Sequence, residues 1–330
     1  MSEGPAALGQ MAADAALVDV GAWQVISATG ADRLSFLHRL LTTSVEDLLP
    51  GQGGRALLLT IKGHVVVELR LCVRPDEVTL LVPPGQGDAA VAALSRYAIM
   101  DDVALALQPE RQVLALYGPA AAARLGAVGV AVPAAVAAGP PLGHAELAWA
   151  PGPEADLTVI HTPGFGADGF WLLGAAAAID RVRQALISAG VGTLPAEAAE
   201  GLRIAAGEPK FGVEITPEVF PMEVGLDDVI DYGKGCYLGQ EPIVRIRDRG
   251  HVNRRLVGLR LPVDAAVAAG DLIETDERPR AGRVTSAARL AAGPVALALV
   301  HVSVPVGGVV RVRHDQQLVA AEIVAVGGKA

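Results

Sequence analysis

The sequence predicts an α+β region followed by an all-β barrel. Up to about residue 252, segments with the 3.6-residue apolar period of amphipathic helices alternate with segments of strand character. From residue 253 onward, strand-like segments follow one another between Gly, Pro and Asp, with almost no helical period. A chain of 330 residues, 52% of them hydrophobic, is also long and apolar enough for two or three cores. We therefore expect two units, residues 1–252 and residues 253–330.

The first helix is predicted over residues 29–41. Thr29 and Asp32 have the spacing of a capping box, and the leucines that follow recur at helical spacing. A second helix is predicted over residues 88–98, where the apolar side chains again fall on one side.

Between these helices, residues 55–82 predict three antiparallel strands. Lys62-Gly63 and Arg74-Pro75-Asp76 have the composition of the turns that would join them. In the middle strand, successive side chains are expected on opposite faces of the sheet. The alternation assigns Val65, Val67, Leu69 and Leu71 to one face, and His64, Glu68, Arg70 and Cys72 to the other.

The second half of the α+β region predicts loops, strands and helices. Residues 119–155 are rich in Ala, Gly and Pro and predict loops with a short helix. Residues 156–174 predict paired strands, followed by an amphipathic helix that Gly190 closes. Pro195 begins a further helix that Gly207 ends.

The net charge and the cysteine content restrict the classes of function. The formal net charge is −9, so nucleic acid and anionic membranes would repel the chain unless a local basic patch exists. Cys72 and Cys236 are the only cysteines, which excludes a disulfide framework. No basic residue precedes Arg33, and the most apolar window, residues 125–140, is too short to span a membrane. A cytoplasmic protein is therefore expected.

Common catalytic motifs are missing or occur in the wrong context. Residues 164–169, GFGADG, match the glycine pattern of dinucleotide-binding proteins, but they lead into a strand and therefore indicate a glycine-rich hairpin. The seven histidines form no metal-binding spacing, and no serine-nucleophile motif occurs. No metal site is expected, and two cysteines are too few for a cluster with four protein ligands.

The stretch KGCYLGQE, residues 234–241, is the strongest candidate for a functional site. It places Cys236 between glycines and two residues after Lys234. A thiol near an ammonium group on a glycine-flanked loop is expected to be partly ionised and therefore nucleophilic. The alternative is a small residue buried at a turn, beside a solvated lysine, and both interpretations are compatible with the sequence. Cys72, at the end of a predicted strand, is interpreted as strand packing.

Acidic residues precede this stretch and arginines follow it. Residues 208–231 contain seven acids, and residues 234–260 contain seven bases. Such runs are most often solvated strand faces with cross-strand ion pairs. The functional interpretation is that the arginines, among them Arg245 and Arg247, hold an anionic ligand at the Cys236 loop.

Residues 203–241 resemble the YgfZ-type folate-binding proteins, relatives of the aminomethyltransferase (T-protein) of the glycine cleavage system. The resemblance rests on RIAAGEPKFGVEI and on FPMEVGLDDVIDYGKGCYLGQE, which contains the intact K-G-C-Y-x-G-Q-E signature of that branch. Other segments of the family are similar to GADRLSFLHRLL, LALYGP, GFGADGF and AGRVTSAARL.

The resemblance implies a three-lobed cloverleaf fold of the aminomethyltransferase type. Two intertwined α/β lobes and the C-terminal barrel would surround a channel for tetrahydrofolate. It also implies iron–sulfur client enzymes as partners, including enzymes that modify tRNA, with Cys236 as the reactive residue supported by Lys234. The residues expected to bind the folate are Arg203, Glu223, Tyr237, Gln240, Glu241, Arg245 and Arg247.

Two positions depart from the T-protein pattern. Where T-proteins carry an aspartate that acts at the folate nitrogen, the stretch KGHVVVELRL has Val67 and Glu68. Valine cannot accept a proton, and Glu68 is expected to replace the aspartate only after a one-residue shift of the strand. A T-protein glutamate that holds the pterin ring is Ala205 here, which predicts weaker folate binding.

Three functions follow as hypotheses. The leading one is a tetrahydrofolate-binding accessory protein for iron–sulfur cluster assembly or repair, acting as a maintenance factor and not as a turnover enzyme. The second is a folate-dependent aminomethyltransferase, against which Val67 argues. The third is a module that contacts RNA through its arginines. The net charge and the lack of aromatic residues between those arginines argue against direct nucleic-acid binding.

Overall fold

Two open sheets and a closed barrel organise residues 9–149 and 156–326, which the computed structural model describes. The strands are β1 (Ala16–Val18), β2 (Gln24–Thr29), β3 (Gly53–Leu59), β4 (Val65–Val73), β5 (Glu77–Val82), β6 (Ala104–Leu107), β7 (Arg111–Tyr117), β8 (His144–Ala148), β9 (Asp156–His161), β10 (Gly169–Ala175), β11 (Gly192–Leu194), β12 (Arg254–Arg260), β13 (Leu272–Glu274), β14 (Gly282–Leu290), β15 (Gly293–His301), β16 (Val309–His314) and β17 (Gln317–Val324). The helices include α1 (Arg33–Leu40), α2 (Gly87–Ser95), α3 (Ala121–Ala127), α4 (Ala134–Ala137), α5 (Ala176–Ser188), α6 (Ala196–Ala205) and α7 (Gln240–Arg249), with 3-10 turns at Pro221–Val224 and Asp227–Val229.

The first lobe is an antiparallel sheet in the order β3-β4-β5-β2-β6. The three strands predicted within residues 55–82 are confirmed as β3, β4 and β5. Apolar residues of α1, α2 and one face of this sheet form a continuous core. The prediction that Val65 shares a face with Val67 is wrong, because a bulge between Leu58 and Leu59 shifts the register there.

The helix predicted over residues 29–41 is confirmed, but its predicted capping box is not formed. Thr29 is the last residue of β2, and α1 begins only at Arg33. Asp32 precedes the helix, but its carboxylate accepts the backbone N–H of Asp102 instead of capping α1. Asp32 therefore joins α1 to the segment before β6 and does not cap the helix.

The second lobe is a sheet in the order β11-β1-β7-β10-β9-β8, with β1 and β11 parallel. The paired strands predicted at residues 156–174 are β9 and β10, and α5 follows them as expected. The predicted loops at residues 119–155 contain α3 and α4 and also the unpredicted strand β8, while residues 150–155 lie outside the described part. Apolar clusters cover both faces of this sheet.

The third lobe is the predicted barrel, which closes in the order β12-β15-β14-β13-β16-β17. Its interior is filled by small and β-branched side chains such as Val257, Val284 and Val312. In β14 a bulge at Thr285 interrupts the register and sends Ser286 out of the barrel toward α6. The α+β class with a C-terminal barrel is therefore confirmed.

The helix α7 was not expected, since the sequence indicated strand faces after the cysteine motif. Gly239 has a φ of 80° and precedes the first turn, which contains Pro242. Proline in the first turn is typical of a helix start, because its missing N–H would have no partner there. Arg245 and Glu241 pair four residues apart along the exposed side.

Arg203 joins α6 and the segment after it to the barrel. Its guanidinium donates to the Glu214 carboxylate at 3.3 Å and to the Ser286 hydroxyl at 2.8 Å. The side chain of Glu214 has no exposed surface, and Arg203 is 7% exposed. Both charges are therefore buried, and each needs the other as a partner.

We expect Arg203→Met to lower the free energy of unfolding by about 3–5 kcal/mol, because Glu214 would remain buried without its cation. Adding Glu214→Gln should restore part of the loss, since the two positions are coupled. Urea denaturation measures both effects. The matched control Arg245→Met removes an exposed pair and should change stability by less than about 1 kcal/mol. Equal destabilisation by Arg203→Met and Arg245→Met would contradict the assignment.

Candidate functional site

A cavity of about 970 Å³ lies where the three lobes meet. The first lobe contributes Arg70, the second contributes Trp171, and α6 contributes Arg203. The barrel closes one side through residues 287–289 of β14. The volume lies within the range of small-molecule and cofactor sites, about 300–1,000 Å³.

In one wall of the cavity an arginine packs against two tryptophans. The guanidinium carbon of Arg70 lies 4.6 Å from the ring centroid of Trp23 and 4.1 Å from that of Trp171. The two indoles contact each other edge to face, with centroids 5.0 Å apart. Because side chains alternate along β4, Glu68 and Arg70 point to the cavity while Leu69 and Leu71 enter the core.

Tyr117 forms the floor next to Trp171. The Trp171 indole N–H donates to the Tyr117 hydroxyl at 2.9 Å, and burial raises the pKa of Tyr117 to about 12. A Cβ at Gly169 would lie 2.2 Å from the tyrosine ring, so only glycine fits at this position of the GFGADGF hairpin. The hairpin itself is confirmed by the bridge between Gly164 and Ala167.

Two of the acidic residues that line the cavity, Glu68 and Glu208, lie in different environments. Glu68 accepts the Nε–H and an Nη2–H of Arg55 on one oxygen. Glu208 accepts the backbone N–H of Phe165 at 2.6 Å, and burial raises the pKa of its carboxyl. The cavity therefore combines aromatic faces, hydrogen-bond donors and acidic groups.

Of the residues expected to bind a ligand, Arg203 alone lies in the lining of this cavity. Its guanidinium donates to Glu200, Glu214, Ser286 and the carbonyl of Glu208. The binding role assigned to it stays a prediction, and its described contacts join α6 to the barrel.

The other expected binding residues lie outside the cavity lining. Glu223 is buried, pairs with Arg254 and accepts the backbone N–H of Phe220. Arg245 pairs with Glu241, and Arg247 pairs with Asp248 while its guanidinium lies 4.6 Å from the Tyr232 ring. Tyr237 is buried in an apolar cluster, and Gln240 begins α7.

Cys236 is exposed on the loop before α7. Gly239 holds this loop against the turn between β3 and β4, where a Cβ would lie 2.3 Å from the carbonyl oxygen of Thr60. By contrast, Cys72 is buried, and burial raises the pKa of its thiol to about 12. The interpretation of Cys72 as packing therefore agrees with its surroundings.

Lys234 points toward the end of α1. Its ammonium group donates to the backbone carbonyls of His38, Leu41 and Thr43, the last two at 2.7 and 2.8 Å. Burial lowers the pKa of Lys234 to about 8. The lysine thus ties the Cys236 loop to α1, and its predicted effect on the thiol stays a prediction.

The chain departs from the T-protein pattern at residues 67–68 and at residue 205. Val67 is buried in the core, whereas Glu68 lines the cavity in the observed register opposite Leu57. Glu68 thus reaches the cavity beyond the bulge of this strand, and its replacement of the T-protein aspartate stays a prediction. Ala205 is exposed and is not part of the cavity lining.

Sequence reasoning missed most of the cavity. Trp23, Tyr117 and Trp171 are far apart along the chain, so no local motif contains them. A usable signal was that Glu68 and Arg70 occupy one face of a strand whose other face is apolar. Two of the three tryptophans of a chain with 4% aromatic residues also lie here.

Among residues 9–149 and 156–326, no group of three or more His, Cys, Asp or Glu side chains is placed to hold a metal ion. Within the same ranges, no helix is both long and apolar enough to cross a membrane.

Comparison with known families matches residues 8–234 to the GCVT N-terminal domain. The chain is 29% identical over 296 residues to an aminomethyltransferase of Bordetella parapertussis, covering 85% of this chain and 78% of that protein. It is 25% identical over 309 residues to the tRNA-modifying protein YgfZ of Yersinia enterocolitica, covering 92% and 89%.

Among solved structures, the chain resembles the glycine cleavage system aminomethyltransferase T of Bartonella henselae. The TM-score is 0.86 at 23% identity, and the match covers 98% of this chain and 88% of that one. At this identity, the likeness establishes the three-lobed fold alone.

Proposed function

Because the chain belongs to the family of the GCVT N-terminal domain, we propose that it is a tetrahydrofolate-binding accessory protein for iron–sulfur cluster assembly or repair. The proposal rests on the cavity of about 970 Å³ between the lobes. The predicted resemblance to YgfZ-type proteins and aminomethyltransferases is confirmed by the family match and by the relatives.

The cavity residues fit two parts of a folate, the pterin ring and the glutamate tail. The indoles of Trp23 and Trp171 offer apolar surfaces for a fused heteroaromatic ring, and Glu208 offers a carboxyl group for ring N–H donors. At the barrel side, Lys210 and Arg289 offer positive charge for the carboxylates of the glutamate tail. When bound, tetrahydrofolate would supply nitrogen atoms that carry one-carbon units.

Ala205 does not argue against this assignment. It lies outside the lining, and Glu208, three residues further along, brings a carboxyl group to the cavity instead. The Glu208 carbonyl accepts from Arg203, which fixes the segment that carries the carboxyl group.

Cys236 is the proposed reactive group of the accessory function. Its exposure leaves the sulfur accessible to a partner protein, while Lys234 and Gly239 fix the loop from both sides. Relatives along most of the chain carry the name tRNA-modifying protein, which supports client enzymes of that kind.

The aminomethyltransferase remains the second candidate, because Glu68 brings a carboxylate to the cavity. However, one of its oxygens already accepts two N–H groups of Arg55. That oxygen is occupied by two N–H donors and is not free to take a proton from a folate nitrogen or an amine. We therefore place the accessory function first.

An RNA-binding module is the least supported candidate. The guanidinium groups of Arg245, Arg247 and Arg254 each pair with a carboxylate, and that of Arg255 donates to the carbonyl of Val304. Positive charge that is already neutralised releases few counterions from a phosphate backbone.

Tetrahydrofolate should stabilise the protein against heat. At a hundredfold excess over Kd the free energy of unfolding should rise by about 2.7 kcal/mol, measured as a shift of the thermal midpoint. Trp23→Ala should reduce the shift, since it removes one aromatic wall. Tyr97→Ala, which changes an exposed ring outside the cavity, should preserve it. An unchanged midpoint of the wild type at millimolar tetrahydrofolate would refute folate binding.

Cys236→Ser should lower the activity of iron–sulfur enzymes in cells, whereas Cys72→Ser should not. The difference follows from exposure, since only Cys236 can reach a partner while Cys72 is sealed in the core. Alkylation of the native protein by iodoacetamide should label Cys236 alone. Equal enzyme activities in the two strains would reduce Cys236 to a packing residue.

The purified protein should release no ammonia from an aminomethyl-lipoyl carrier in the presence of tetrahydrofolate. The reason is the engagement of Glu68 by Arg55. Glu68→Gln provides the matched control, because it keeps the side-chain shape and removes the charge. Turnover by the wild type that Glu68→Gln abolishes would establish the enzyme instead.

A further inference from the structure

Arg70 differs from the other cavity arginines in its hydrogen bonding. Arg55 pairs with Glu68, Arg203 pairs with Glu200 and Glu214, and Arg289 donates to two backbone carbonyls. The Nε of Arg70 is buried and has no hydrogen-bond partner among the described residues. A buried donor without an acceptor is costly, and more so when it belongs to a charged group.

The two indoles attract the guanidinium of Arg70 but do not satisfy its hydrogen-bond donors. Cation–π contacts at 4.6 and 4.1 Å attract the charge to the rings, yet a ring face accepts no in-plane hydrogen bond. Burial also lowers the pKa of Arg70, which reflects the loss of water around the charge. Arginine nevertheless stays protonated in proteins, so a cation whose buried Nε has no acceptor remains in the wall.

The ring contacts leave the Nε of the guanidinium without a hydrogen-bond partner among the described residues. The group can add a partner along its Nε edge, through its N–H donors. That edge has the geometry to bind two neighbouring acceptor atoms, as in a carboxylate or in a ring carbonyl beside a ring nitrogen. Lysine has no such planar pair of donors.

We propose that Arg70 determines the specificity of the cavity by donating from its guanidinium edge to a pair of acceptor atoms on the ligand. This proposal rests on the proposed function, which identifies the ligand as a folate. It adds the group that the ligand must carry, a pair of neighbouring acceptor atoms. Trp23 and Trp171 are positioning residues for Arg70, because they hold its plane and exclude water from it. The acceptor pair belongs either to the ring or to the carboxylate tail of the folate.

The test uses tryptophan fluorescence of the full chain, since two of the three tryptophans contact Arg70. The titrants are tetrahydrofolate, 6-methyltetrahydropterin, which lacks the tail, and p-aminobenzoylglutamate, which lacks the pterin ring. Arg70→Met and Arg70→Lys should each weaken tetrahydrofolate binding by about 10- to 100-fold, because a hydrogen bond to a charged group is lost or misaligned. The fragment whose affinity falls identifies the source of the acceptor pair.

Arg260→Met is the matched control, since the exposed Arg260 lies outside the cavity lining and pairs with Glu322 on the barrel. It should change the affinity by less than about threefold. Without ligand, Arg70→Met should melt no lower than the wild type, because it removes a buried charge that has no carboxylate partner. A residue with a merely structural role would lose stability and affinity together.

The outcomes separate this inference from the proposed function. Wild-type tetrahydrofolate binding that both Arg70 variants retain would overturn the inference and leave folate binding intact. Binding of a fragment that depends on Arg70, without binding of tetrahydrofolate, would overturn folate binding and support the inference. Retained wild-type affinity in Arg70→Lys alone would overturn the claim that a planar donor pair is required, and a wild type that binds none of the three probes would overturn both.

Discussion

The buried ion pair of Arg203 and Glu214 is the interaction on which the arrangement of the lobes depends. Arg203 lies on α6, Glu214 lies in the segment after it, and Ser286 comes from the barrel. Arg203 also pairs with Glu200, and Glu214 also accepts the Ser286 hydroxyl. Moving the barrel away would therefore break the hydrogen bonds of Ser286 to both buried charges. The cavity is the space left open at this junction. Its wall contains Arg203, which the ion pair with Glu214 holds in place.

A second feature is that the cavity collects polar groups which the rest of the protein keeps at its surface. Glu68, Arg55 and Arg70 come from two neighbouring strands whose other faces are apolar. Burying such groups lowers stability unless partners are present, and proteins tolerate that cost mainly at binding sites. Arg55 and Glu68 satisfy each other, whereas Arg70 depends on aromatic faces. This difference between Arg55 and Arg70 indicates that a ligand would bind on the Arg70 side of the cavity.

The sequence predicted the local structure better than the site. The meander at residues 55–82, the helix closed by Gly190 and the C-terminal barrel follow from apolar period and turn residues, which are local properties. The helix α7 was missed because its start depends on the left-handed conformation of Gly239. The cavity was missed for a different reason. Trp23 and Trp171 meet only after two sheets have folded and packed, and no spacing rule relates them.

The KGCYLGQE motif and the cavity are thus two separate sites that rest on the same pair of strands, β3 and β4. The Cys236 loop rests through Gly239 on the turn between β3 and β4, and the same two strands carry Arg55, Glu68 and Arg70 into the cavity. A hydrogen-bonded strand pair moves as a unit, because shifting one strand breaks the ladder to the other. Loss of Cys236 function in a cavity variant would therefore not require contact between the thiol and the ligand. A change in β3 and β4, the strands beneath the loop, would cause the same loss of function. Variants on the loop side, such as Gly239→Ala, separate the two explanations.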